Sequence, residues 1–184
     1  MSESLSKINP NEITIERLTE KHNIKDFQSY EKELMKFLVE DALENQKKRI
    51  SVTYLWFLRS DKLVGYITVL NDRINLEGNL KTGFREKGIQ YHSLPAIKIG
   101  RLCVDNRFLR RGVGTLMIDF VIKIAFQVYE RYSGCRFLVL DAKRNKENDA
   151  IHFYKKQGFS SLKEREKGIT PMFFDLVNNI KFRL

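Results

Sequence analysis

Three observations predict an α/β fold for this chain. Runs of β-branched and aromatic residues alternate with stretches whose apolar residues recur at helical spacing. The last half of the chain reads strand, helix, strand, helix, strand in short order. Hydrophobic residues make up 42% and charged residues 30% of the 184 positions, a balance typical of a soluble globule with a sizeable core. No repeat and no linker interrupts the pattern, so residues 1–184 read as a single domain.

The elements follow in order. "EITIERL" (12–18) alternates loosely and predicts a first strand. In "SYEKELMKFLVEDALENQKKR" (29–49), Leu34, Phe37, Leu38 and Leu43 fall near helical spacing, and the closing Lys47, Lys48 and Arg49 suit a helix C-terminus. "SVTYLWFL" (51–58) and "KLVGYITVL" (62–70), separated by "RSD", predict a hairpin. Residues 71–95 are polar, hold Gly78, Gly83 and Gly88 and end at Pro95, which predicts a long loop. "AIKIGRLCV" (96–104) is the next strand. A long helix over 114–132 carries Leu116, Phe120, Ile124 and Val128 as one stripe. The continuous apolar run "CRFLVLDA" (135–142) suits a strand covered on both faces. A short helix (146–159) stops at Gly158, and "ITPMFFDLV" (169–177) supplies a last strand.

Composition narrows the function. No stretch approaches the ~20 apolar residues that span a bilayer, and the N-terminus lacks the basic-then-apolar pattern of a signal peptide. A cytoplasmic location and no membrane partner are therefore expected. Cys103 and Cys135 make no disulfide framework, and three histidines without neighbouring ligands predict no metal site. The net charge of +10 is uneven: residues 1–46 hold 6 Lys/Arg against 10 Asp/Glu, the remainder 27 against 13. The basic part suits a phosphate-bearing cofactor, a nucleic acid, or solubility alone.

The stretch "VDNRFLRRGVGTLM" then asks for a reason. Glycine inside a regular element costs roughly 1 kcal/mol relative to alanine, yet Gly112 and Gly114 sit where a strand hands over to a helix. Free backbone N–H groups and the positive end of a helix dipole meet there, and Arg110 and Arg111 add charge, so the turn suits an anion. It is neither GxxxxGK[ST] nor GxGxxG, because Met117 stands where a third dinucleotide-motif glycine belongs. A tight turn beside a close helix–strand contact is the plainer alternative.

"RLCVDNRFLRRGVGTLM", followed about forty residues later by "AIHFYKKQGF", resembles the two central motifs of the GNAT superfamily of acyl-CoA-dependent N-acetyltransferases. The resemblance covers about 50–177. Leu109 stands where the first motif usually has Gln or Arg, and Glu147 where the second usually has Asn. The resemblance implies a mixed central sheet with splayed central strands flanked by helices. It also implies acetyl-CoA as acyl donor, with no metal. Main-chain groups of Leu102, Cys103 and Val104 would meet the pantetheine arm. Arg110, Arg111, Gly112, Val113, Gly114 and Thr115 would hold the pyrophosphate, with Asn148 and Phe153 nearby. Tyr154 would be the general acid.

Acetyl transfer to an amine needs a neutral nitrogen, support for the oxyanion and a proton for the departing thiolate. A phenol, with an ordinary pKa of ~10, still holds its proton at neutral pH. No obvious general base stands beside it, although Glu77, Glu86 and His92 are candidates. Cys103, in an apolar strand without a spaced His or Asp, reads as buried and inert; Asp105 and Asp141 are capping or relay candidates. An α-amine is easier to deprotonate than a lysine by ~2.5 pKa units, or about 3.5 kcal/mol, which favours an α-amine acceptor. The layout of "FQSYEKELMKFLVEDALENQ", "VGYITVL" and "SLPAIKIGRLCVD" is similar to GNAT-type bacterial toxins that acetylate the α-amine of aminoacyl-tRNA. Lys47, Lys48, Arg49, Lys143, Arg144 and Lys146 are then the candidate RNA contacts. An amine substrate is expected, with tRNA and a homodimer as open partners. A lysine, polyamine or small-amine acetyltransferase, or a non-catalytic acyl-CoA- or RNA-binding module, remains an alternative.

Overall fold

The structure is a computed structural model that describes residues 6–143, 150–163 and 168–179. Those residues form a mixed α/β fold whose strands, numbered in chain order, lie in the order β1-β2-β3-β4-β5-β7-β6. The residues sort into two compact units, Met1–Leu70 with Ile99–Val121 and Asn71–Lys98 with Ile122–Leu184.

In the first unit, β1 (Ile13–Arg17) runs antiparallel to β2 (Val52–Leu58), with Ile15 opposite Trp56. The predicted hairpin forms: β2 pairs antiparallel with β3 (Lys62–Asn75). Arg59 and Ser60 at its tip take left-handed angles, φ 52° and 66°, as a tight hairpin turn demands. The helix expected over 29–49 is shorter and interrupted. It consists of α1 (Lys32–Lys36), one wide π turn (Phe37–Asp41) and α2 (Ala42–Lys47). Its Leu38 and Ala42 pack with Phe27, Leu55, Tyr66 and Cys103 into one apolar cluster. The Tyr66 hydroxyl, deep in that cluster, donates to the Leu34 carbonyl at 2.7 Å, so its only polar atom is satisfied.

The later part of β4 (Ser93–Val104) and the start of α4 (Val113–Arg131) complete this unit. Gly65 on β3 lets them close in. A Cβ there would stand 2.8 Å from the Cys103 carbonyl oxygen and collide with Met117 Cε.

In the second unit, β5 (Phe137–Lys143) pairs antiparallel with β7 (Ile169–Asp175), Leu140 opposite Met172, and the short β6 (Ser160–Ser161) lies outside β7. α5 (Ala150–Lys156) precedes β6. The long loop predicted over 71–95 is not one. β3 continues to Asn75, a helix α3 spans Gly78–Glu86, and β4 starts at Ser93. Leu80 and Phe84 of α3 pack on Ile74, Leu76, Ala96, Phe137 and Val139. Two apolar side chains one turn apart suffice once a sheet face awaits them, although glycine-rich sequence hides the helix.

Candidate active site

The turn between β4 and α4 begins with Asp105, whose side chain is fully buried. It accepts from the backbone N–H of Gln28 (2.9 Å) and of Arg107 (2.9 Å), and from Arg107 Nε (2.8 Å) and Nη2 (2.7 Å). One helical turn, Asn106–Phe108, follows, and Leu109 is extended. Arg110 and Gly112 then both turn left-handed, with φ 60° and 87°. Around the Cβ position of Gly112 no heavy atom beyond its chain neighbours lies within 4 Å, so backbone stands open on that side. α4 starts at Val113, and the leading N–H groups at Val113 and Gly114 have no carbonyl one turn back inside the helix.

The two arginines part company. Arg111 Nε donates to the Ser6 carbonyl at 3.0 Å, and its guanidinium lies over the Phe108 ring, 5.5 Å from the centroid. Arg110 is exposed and held by no ion pair among the described residues. The glycines differ too. Gly112 supplies the left-handed angle, whereas Gly114 lies inside the first turn of α4.

Leu102, Cys103 and Val104 lead into this turn on β4. Cys103 is buried, and burial pushes its thiol up to about 11, with a hydrogen bond to Ser29 opposing and the charges of Asp105 and Glu31 reinforcing the rise. At neutral pH it is a thiol, not a thiolate, in keeping with an inert role.

In the second unit, Tyr154 on α5 is 9% exposed. Its ring lies between Phe153 (5.1 Å) and Phe159 (5.6 Å). Lys98 Nζ on β4 meets the Asp141 carboxylate of β5 at 2.7 Å and Asp72 of β3 at 3.8 Å. Glu77 pairs with Lys163 at 2.9 Å. Among the described residues no cluster of three or more His, Cys, Asp or Glu is placed to hold a metal, and no helix is long and apolar enough to cross a membrane.

The structure thus gathers Leu102, Cys103, Val104 and 110–115 in one unit and Phe153 with Tyr154 in the other. Asn148, Arg144 and Lys146 lie outside the described residues. Sequence reasoning missed three partners. Arg107 and Lys98 were signalled only as a charge two residues from Asp105 and as a lone cation in an apolar run. Nothing local singled out Ser6.

The acetyltransferase (GNAT) family model matches residues 15–159, and the chain belongs to that family. Solved structures of the same fold include a tyrosine-to-phenylalanine mutant of KacT, at TM-score 0.76 and 22% identity, covering 90% of this chain and 96% of that one. Another is AtaT complexed with acetyl-methionyl-tRNAfMet, at TM-score 0.73 and 22% identity, covering 89% and 94%. A 3-ketoacyl-CoA thiolase of Yersinia enterocolitica is 31% identical over 85 residues, 46% of this chain. The chain spans about 20% of the length of the curated relatives it matches.

Proposed function

We propose that this chain transfers the acetyl group of acetyl-CoA directly to a primary amine, with Tyr154 as general acid. One observation carries the reading. The turn at 110–112 presents Arg110, which has no ion-pair partner among the described residues, the leading amides of α4 and an open face at Gly112, in a member of the acetyltransferase family.

Acetyl-CoA, when bound, supplies an acyl group activated as a thioester. The chain's residues do the rest. The N–H groups of Val113 and Gly114, at the positive end of the α4 dipole, bind the diphosphate with Arg110, and Thr115 extends that turn. Backbone groups of Leu102, Cys103 and Val104 orient the pantetheine arm, and an N–H there supports the oxyanion as the amine nitrogen bonds to the carbonyl carbon. The Tyr154 phenol gives its proton to the sulfur as the carbon–sulfur bond breaks. It recovers one from the nitrogen as the amide forms, so amine and thioester leave as amide and thiol.

The acceptor we favour is the α-amine of an aminoacyl-tRNA. Asp141 and Glu77 are each engaged by a lysine, and an α-amine is easier to deprotonate than a lysine side chain by ~2.5 pKa units. The basic balance of residues 47–184 suits a polyanion. Lys47 is tied to Glu20 (2.7 Å) and Glu44 (3.2 Å), whereas Lys48 and Arg49 make no ion pair among the described residues. The likeness in fold to AtaT, solved in complex with acetyl-methionyl-tRNAfMet, supports this acceptor.

The test is an acetylation screen with labelled acetyl-CoA, offering charged tRNA, uncharged tRNA and free amines side by side. Label on charged tRNA alone is expected. Label on free amines alone moves the acceptor to a small amine. No label, with coenzyme A at ~100 Kd still adding about 2.7 kcal/mol of stability, leaves a binding module.

A further inference from the structure

The start of the chain is tied to the turn that receives the anion. The Ile8 N–H donates to the Arg111 carbonyl at 3.0 Å, and Arg111 Nε donates back to the Ser6 carbonyl at 3.0 Å. Ile8 is only 5% exposed. Just beyond it, Asn9 caps the helical turn Pro10–Glu12, its Oδ1 accepting the Asn11 N–H at 3.0 Å, and that turn runs straight into β1. So the segment is anchored on one side by a buried side chain and on the other by the sheet.

What it holds is a strained piece of backbone. Arg110 adopts φ 60° without being glycine, a conformation that side-chain-bearing residues disfavour. Gly112 repeats the left-handed angle two residues on. Strained turns of this kind persist where their surroundings over-determine them. Arg111, between the two, is fixed by its carbonyl, its Nε and its stacking on Phe108.

We infer that residues 6–8 are a strap that positions the diphosphate-binding turn, holding 110–112 in the shape that sets out Arg110 and the α4 amides. The inference rests on the reading of that turn as the coenzyme A site. Residues 6–8 are positioning residues: they act through Arg111. If the strap favours the binding shape, ligand and strap stabilise each other reciprocally.

Hydrogen exchange on the full wild-type chain, with and without saturating coenzyme A, tests this without a mutation. The Ile8 amide should exchange at least about five-fold more slowly with ligand, while the Leu18 amide, bonded to the Thr53 carbonyl between β1 and β2, holds its rate. Ile8→Asp should raise the coenzyme A Kd at least about ten-fold while leaving the KM of acetyl-pantetheine, which lacks the diphosphate, within about two-fold. Ile8→Val should behave as wild type. A wild-type chain that binds coenzyme A with unchanged Ile8 exchange overturns the strap. So does an Ile8→Asp chain that loses coenzyme A and acetyl-pantetheine equally; if that variant fails to fold, the exchange result decides. A wild-type chain that binds no coenzyme A overturns the reading of the turn itself, and the strap's role with it.

Discussion

Asp105 and Arg107 grip each other through two parallel bonds, Nε to Oδ1 at 2.8 Å and Nη2 to Oδ2 at 2.7 Å, with the carboxylate wholly buried and the guanidinium side chain 42% exposed. Arg107 Nη2 also donates to the Asp26 carbonyl, and the Asn106 N–H to that of Gln28, so the pair pins the segment before α1 to the turn after β4. Burial works to raise the Asp105 carboxyl. The hydrogen bonds from the Arg107 side chain and from the backbone N–H groups of Arg107 and Gln28 outweigh it and hold the carboxyl below its usual range.

Asp105→Asn should therefore cost about 3 kcal/mol in urea unfolding, because it leaves a guanidinium and two N–H groups facing a neutral amide. Since the folded carboxyl is lowered, its contribution is present above the ordinary carboxylate range and fades as pH falls through the folded value. Below pH ~4 the wild type should lose its advantage over the variant. A variant as stable as wild type at pH 7 would show that the pair is incidental.

Tyr154→Phe keeps the ring that Phe153 and Phe159 enclose and removes only the hydroxyl. Turnover should fall by about ten-fold or more with acetyl-CoA affinity nearly intact. Steady-state kinetics paired with calorimetry separates the two, and unchanged turnover removes Tyr154 from the chemistry.

Gly65→Ala and Gly112→Ala should fail differently. At Gly65 the added methyl meets the Cys103 carbonyl and Met117, so thermal unfolding should report a loss of roughly 1–3 kcal/mol. At Gly112 there is room for the methyl, but φ 87° disfavours any L-residue. The stability loss there should stay near ~1 kcal/mol, with coenzyme A affinity falling more than stability does.

Cys103 gives a base-side prediction. Its thiol pKa is raised on folding from 9.0 to about 11, so the stabilisation it reflects is complete below pH 9 and is lost as pH rises through about 11. Over that window the wild type should lose of order 2 kcal/mol more than Cys103→Ala does. Native-state alkylation of Cys103 at pH 8 should be slow by the same reasoning, and rapid labelling there would contradict its burial.

Much of the fold was legible because periodicity and turn residues are local. The β2–β3 hairpin, the helix α4 and the apolar run of β5 each announce themselves locally, although the fully buried side of α4 is Met117, Ile118, Val121 and Ala125 rather than the half-buried stripe Leu116, Phe120, Ile124 and Val128. α3 did not, since Leu80 and Phe84 become a helix face only against Ile74, Phe137 and Val139. Nor did the break in the first helix, where the π turn at Phe37–Asp41 interrupts a pattern that reads as continuous.

The site divides the same way. By itself the sequence offered an anion-suited turn at 110–115, a tyrosine inside the predicted helix 146–159 and a cysteine with no activating partner, because these depend on residue type and spacing. Only the tertiary structure decided that Arg111 serves Ser6 and Phe108 while Arg110 meets no ion-pair partner among the described residues, that Asp105 is held by Arg107, and that Lys98 neutralises Asp141. Those pairings join positions from 2 to 105 residues apart. Which charge meets which is set by the packing that brings the segments together, and no local pattern encodes it.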